Sequence, residues 1–176
     1  MGARSVLQEA DISRALTRIA HEILESNRGA ENLVLLGIPT RGVALAQRLE
    51  QLVSSIAQQA VPTGSLDVTL FRDDLAQHPT RSPRPTDIPA GGIDGKTVVL
   101  VDDVLFSGRS IRAALDAIQS IGRPAVIRLA ILIDRGHREL PIRPDFVGKN
   151  IPSSRAERVN VRLREYDGAE EVTIEA

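Results

Sequence analysis

Val98 to Val101 form an apolar run that stops at two adjacent carboxylates, Asp102 and Asp103. A short loop with Phe106, Ser107 and Gly108 follows. Ile111, Ala114, Leu115 and Ile118 then recur at helical spacing. The segment therefore predicts a buried strand, a loop and a helix N-terminus. The first N–H groups of a helix lack internal partners, and the helix dipole is positive at that end. Such a junction is ready to receive an anion.

The rest of the chain is compatible with that unit. Ile12, Leu16, Ile19, Ile23 and Leu24 predict a helix that Asp11 can cap. Leu33–Leu36 predicts a short buried strand ending at Gly37, and Ile38–Gly42 a turn. Val43, Ala46, Leu49, Val53 and Ile56 predict a second helix. Ser65–Phe71 alternates like a strand. Residues 72–92 carry Pro79, Pro83, Pro85, Pro89, Gly91 and Gly92 with few apolar side chains, which predicts a long loop of the functional or disordered kind. Strands follow at Thr97–Val101 and Ala125–Ile133, with a helix at Ser110–Ile121 between them. Alternation of strand and helix argues for a parallel α/β sheet. After residue 134 shorter, more polar strands are expected at Asp145–Val147, Arg158–Arg164 and Glu171–Ile174. With 176 residues and no linker or repeat, residues 1–176 read as one domain.

Composition removes several classes of function. There is no cysteine, so disulfides and thiolate metal sites are out. No run is long and apolar enough to span a bilayer, and the N-terminus has no signal-peptide pattern, so no membrane partner and a cytoplasmic location are expected. Net charge is −1, so nucleic-acid binding would need a localised patch. Three Phe, one Tyr and no Trp leave little for base stacking.

Two carboxylates side by side at a strand end repel each other unless vicinal hydroxyls, a metal or an arginine compensates. Ser107, Gly108, Arg109 and Ser110 supply hydroxyl and backbone donors for a phosphate. A ribose 5-phosphate satisfies both halves. At this point Val98–Ser110 resembles the phosphoribosyl pyrophosphate (PRPP) motif of type I phosphoribosyltransferases. Gly37-Ile-Pro-Thr-Arg-Gly42, Phe71-Arg-Asp-Asp-Leu75, Asp134-Arg-Gly-His-Arg-Glu-Leu-Pro141, Arg14-Ala-Leu-Thr-Arg-Ile-Ala-His21 and Val147-Gly-Lys-Asn-Ile-Pro152 narrow the resemblance to the PyrR family. Its members are bifunctional pyrimidine-operon regulators with uracil phosphoribosyltransferase activity.

The resemblance implies a type I phosphoribosyltransferase fold: a central parallel sheet flanked by helices, a lid loop near 72–92 and a small C-terminal hood over about 134–176. It places Asp102 and Asp103 on the ribose hydroxyls and Val104, Leu105, Phe106, Ser107, Gly108, Arg109 and Ser110 around the phosphate and base. Thr40 and Arg41 fall on the pyrophosphate. Some relatives carry Lys where this chain has Pro39, so one phosphate-neutralising charge is missing. Arg72 opens the lid as a phosphate contact, and Arg135 lies in the hood over the base. Catalysis would rest on Arg41, Asp102, Asp103 and Arg72. Mg²⁺ would arrive with PRPP, with no direct protein ligand assigned. Phe106 stands where purine-specific relatives often carry an aspartate, which favours uracil. His137 reads as part of a solvated turn.

For RNA, Arg14, Arg18 and His21 share one helical face, with Thr17 beside them. Residues 134–164 hold eight basic side chains, Arg138, Arg143 and Lys149 among them, against four acidic. Charge alone more often marks a solvated face; the resemblance makes these seven residues an RNA-binding surface for the pyr mRNA leader, governed by UMP or UTP. It also implies a homodimer or homotetramer. The competing readings are a dedicated uracil salvage enzyme without RNA binding and an RNA regulator with a vestigial enzyme.

Overall fold

The computed structural model describes residues 2–73 and 82–176. Its main sheet has five parallel strands, β2 (Leu33–Gly37), β3 (Thr63–Ser65), β4 (Thr97–Leu105), β5 (Val126–Asp134) and β6 (Phe146–Asn150), in the order β3-β2-β4-β5-β6. Alternation along β2 shows why both faces are apolar. Leu33 and Leu35 join one core with helices α1 (Glu9–Asn27) and α2 (Arg41–Ala57). Val34 and Leu36 join a second core with α3 (Arg109–Gln119). Three layers result, with the sheet buried in the middle.

A second sheet is antiparallel and stands at one end: β1 (Arg4–Gln8), β8 (Glu171–Glu175) and β7 (Arg158–Arg162), with β8 central. A short helix, α4 (Arg164–Asp167), joins β7 to β8.

Several expectations need correction. Asp11 is not the N-cap of α1; Gln8 is, and Asp11 sits one turn in, where its carboxylate accepts the Gln8 N–H at 2.9 Å. The Arg4–Gln8 strand has no expected counterpart, because it is half exposed and finds its partner at the other end of the chain. The strand expected at Ser65–Phe71 is instead the end of β3 followed by a 3-10 turn at Thr69–Phe71. Gly64 permits that edge, since a Cβ there would collide with the carbonyl of Asp87. β6 completes the main parallel sheet, so the hood consists of the antiparallel sheet and draws one of its strands from the N-terminus. Of the expected lid, Asp74 to Arg81 lie outside the described residues.

Candidate active site at the carboxyl ends of the parallel strands

The strand order of the main sheet reverses between β2 and β4: β2 leads outward to β3, and β4 leads the other way to β5. That crevice, beyond the carboxyl ends of the strands, is where open α/β sheets place ligands. Three loops meet there, following β2, β4 and β5. Register holds them level, with Gly37 beside Val101 and Leu105 beside Asp134.

β4 continues past the apolar run to Leu105, so the carboxylates lie within the strand's last turn of pleat. Asp102 is buried and Asp103 half-buried. Asp102 accepts the N–H of Asp103 and Asp103 accepts that of Val104, both at 2.8 Å. Burial, and then the charge of Asp103, push the Asp102 carboxyl well above the usual carboxylate range. Asp103 is thus the more exposed carboxylate of the pair, and Asp102 its buried neighbour.

Gly108 ends the following loop at φ 95°, a conformation that favours glycine, and caps α3. The loop's carbonyls turn away from the site. Phe106 O accepts from Arg138 at 2.9 Å, and Ser107 O accepts the N–H groups of Glu139 and Leu140 at 2.9 and 3.2 Å. Carbonyls tied behind the loop leave the open donors of the first turn of α3, Ser110 and Ile111 among them, for an anion. Arg72 reaches the same turn, donating to the Ser110 hydroxyl at 2.6 Å. Arg109 links Asp73 to Glu139 of the β5–β6 connection.

Thr40 and Arg41 open α2 beside this loop. The Pro39–Thr40 peptide is cis. The Ile38 N–H donates to Val101 O at 2.9 Å, and a Cβ on Gly42 would lie 2.5 Å from that carbonyl. Only a glycine lets the turn lie this close to β4. Arg41 forms a bidentate pair with Asp167 of α4, at 2.6 and 3.1 Å.

Phe106 is half-buried with the Arg135 guanidinium 4.2 Å over its ring and His137 edge-on at 5.8 Å. Arg135 is itself buried, and burial works against its charge; Ser153 Oγ and the carbonyls of Ser154 and Glu157 satisfy its donors. His137 is therefore no solvated turn residue. Its Nε2 contacts the carbonyl of Ser153, and it adopts φ 65°.

The phosphoribosyl transferase domain family matches residues 2–165. The chain is 66% identical over 180 residues to the Bifunctional protein PyrR of Leifsonia xyli subsp. xyli, covering 99% of this chain and 98% of that one. The chain belongs to the PyrR family. It is 60% identical over 174 residues to the Bifunctional protein PyrR of Streptomyces coelicolor, covering 99% of this chain and 90% of the relative. Solved structures share the fold at lower identity. A hypoxanthine-guanine phosphoribosyltransferase from Bacillus anthracis superposes with TM-score 0.73 at 16% identity, over 98% of both chains. The hypoxanthine phosphoribosyltransferase of Trypanosoma cruzi gives 0.72 at 18%, over 97% of this chain and 95% of its own. The type I phosphoribosyltransferase fold is thereby established for this PyrR-family chain.

Away from the crevice, Arg14, Arg18 and Lys149 line one groove between α1 and β6, together with Leu7, Asp11, Ala15 and Gly148. Arg18 is held there by the carbonyls of Val147 and Gly148 and by Glu22, and Arg14 pairs with Asp11 at 2.7 Å. Thr17 and His21 are exposed on the same helix, and Arg143 is exposed in the β5–β6 connection. Arg138 takes a different part. It donates to Asp134, Phe106 O and Ile142 O, one bond from each nitrogen, and so holds the loop after β4.

Sequence reasoning missed Asp167, Glu165, Glu170 and Arg48. Arg48 binds Glu165 and Glu170, which pins the α4 segment to α2 beside the Arg41–Asp167 pair. More than a hundred residues separate these partners, so no local spacing announces them. No helix among the described residues is long and apolar enough to cross a membrane.

Proposed function

We propose that this chain transfers the phosphoribosyl group of PRPP to N1 of uracil, giving UMP and diphosphate, and that with a uridine nucleotide bound it grips the leader of pyrimidine-biosynthesis mRNA. The observation that carries the enzymatic half is the meeting of Asp103, the α3 N-terminus and the Thr40–Arg41 turn in one crevice, each suited to a different part of PRPP. Asp103 accepts from the ribose hydroxyls. Ser107, Gly108, Arg109 and Ser110 hold the 5′-phosphate. Thr40 and Arg41 hold the diphosphate, and Arg72 closes over it.

Bond breaking at the ribose leaves positive charge on the sugar and negative charge on the departing diphosphate. Arg41 and Arg72 stabilise the second, and the loop after β4 holds the sugar in line with the base. The Phe106 face, backed by Arg135, forms an apolar wall for a pyrimidine ring. Both carboxylates already accept backbone N–H groups. Mg²⁺ would come with PRPP, held mainly by PRPP oxygens, and would neutralise the departing diphosphate.

The RNA half is carried by the groove of Arg14, Arg18 and Lys149, with Thr17 and His21 exposed on the same helix and Arg143 an exposed cation of the β5–β6 connection. UMP in the crevice favours the RNA-binding form and PRPP opposes it, each through differential affinity for the two forms. Assembly into a homodimer or homotetramer would present two or four copies of this basic face.

One protein preparation tests both halves. Uracil with PRPP and Mg²⁺ is expected to yield UMP. Gel shift with pyr leader RNA is expected to tighten when UMP is added. Turnover without UMP-enhanced binding would leave a salvage enzyme; UMP-enhanced binding without turnover would leave a regulator alone.

A further inference from the structure

Arg41 is engaged on one side only. Its Nε and Nη2 donate to the two oxygens of Asp167, and among the described residues its Nη1 has no hydrogen-bond partner. A guanidinium gripped along one edge by a carboxylate is held in plane and orientation, with its other edge presented.

Asp167 is itself held. The Leu163 N–H donates to its Oδ2 at 2.8 Å, and its own N–H donates to Leu163 O at 2.8 Å. Its side chain is 19% exposed and that of Arg41 is 32% exposed, so solvent screens the pair only in part. The α4 segment does not depend on this pair for its position. Arg48 with Glu165 and Glu170, and Arg164 with Glu9, fasten it separately.

We infer that Asp167 is a positioning residue for diphosphate binding: by gripping the Nε–Nη2 edge of Arg41 it orders the guanidinium before PRPP arrives and leaves the Nη1 edge for the leaving group. This deepens the proposed reaction and rests on Arg41 being a diphosphate ligand. Two effects of the carboxylate oppose each other. Its charge repels a nearby diphosphate, whereas its grip spares a long side chain the rotamer freedom it would lose on binding. The grip is direct and bidentate, while the repulsion acts across the intervening guanidinium, so ordering wins. Arg41 also holds the Asp167 carboxyl below its ordinary range, which keeps the pair ionised at neutral pH.

Asp167→Asn and Asp167→Glu test this against the parent. Asparagine removes the charge and one acceptor; glutamate keeps the charge and shifts it. Both are expected to raise KM for PRPP and Kd for inorganic diphosphate about fivefold, with a smaller change in kcat. UMP carries no diphosphate, so its affinity should stay at the parental value. Tighter diphosphate binding by Asp167→Asn would mean that the carboxylate restrains Arg41, and would overturn the inference. Equal weakening of UMP and diphosphate would mark a merely structural role and overturn it too. Arg41→Ala separates the two levels. If it leaves diphosphate binding unchanged, the role of Arg41 itself fails; if it weakens diphosphate while both Asp167 variants do not, only the positioning inference fails.

Discussion

Asp102 and Asp103 are neighbours in the chain with opposite circumstances. Asp102 is buried with its carboxyl pushed up, and Asp103 is half-buried at the mouth of the crevice. A carboxyl raised in the folded state costs stability once pH exceeds its unfolded value of about 3.9. Asp102→Asn should therefore raise Tm at neutral pH, because the amide oxygen still accepts the Asp103 N–H and no charge is buried. Asp103→Asn should also raise Tm, by less, because it removes the charge that repels Asp102, and should cripple UMP formation, since it removes the carboxylate offered to the ribose. Thermal melts and turnover of the two variants check both statements. A lower Tm for either variant, or full activity for Asp103→Asn, would contradict them.

At the scale of elements, α1 serves both stability and the groove. Asp11 holds the Gln8 N–H at the helix start and also pairs with Arg14. The Gln8 hydrogen bond keeps its carboxyl below the ordinary range. Asp11→Ala is expected to lower Tm by a few degrees through the lost cap interaction. The same change frees Arg14 and removes a negative charge from the groove, so RNA binding should strengthen and become steeper in salt. Stability and RNA affinity thus move in opposite directions, measured by melts and by gel shift across a salt series. The α3 junction shows the complementary logic. Its carbonyls are consumed by Arg138, Glu139 and Leu140, and its donors are left for the ligand.

At the scale of the whole molecule, an ionic cluster fastens the α4–β8 segment of the antiparallel sheet to α2, which packs on the main sheet. Glu170 is nearly buried and doubly bonded to Arg48, and that bond holds its carboxyl below the ordinary range. Stability from a depressed carboxyl is complete above its unfolded value of about 4.3 and is lost as pH falls through its folded value. The parent should therefore destabilise steeply below about pH 4. Glu170→Gln should be less stable at pH 7 by about 2 kcal/mol, because Arg48 is left poorly paired. It should also lose less on acidification than the parent does. Denaturant melts at pH 7 and pH 4 check the difference.

The chain's own order was enough to read the parallel sheet, the two helices that open on the crevice and the Asp102–Asp103 loop. Each rests on periodicity or chemistry within about a dozen residues, and local patterns of that kind survive without knowledge of the fold. The ends of elements were less legible: β4 runs on through its carboxylates because β5 pairs with it as far as Leu105. The N-terminal strand, the antiparallel hood and the groove of Arg14, Arg18 and Lys149 depended on partners from opposite ends of the chain. The resemblance makes Arg138 an RNA-contact candidate, whereas its neighbours in space engage its guanidinium behind the loop after β4. The Arg41–Asp167 pair was decided wholly by tertiary structure. An ion pair across more than a hundred residues leaves no periodic trace, and it forms only because β7 and β8 bring α4 onto the start of α2.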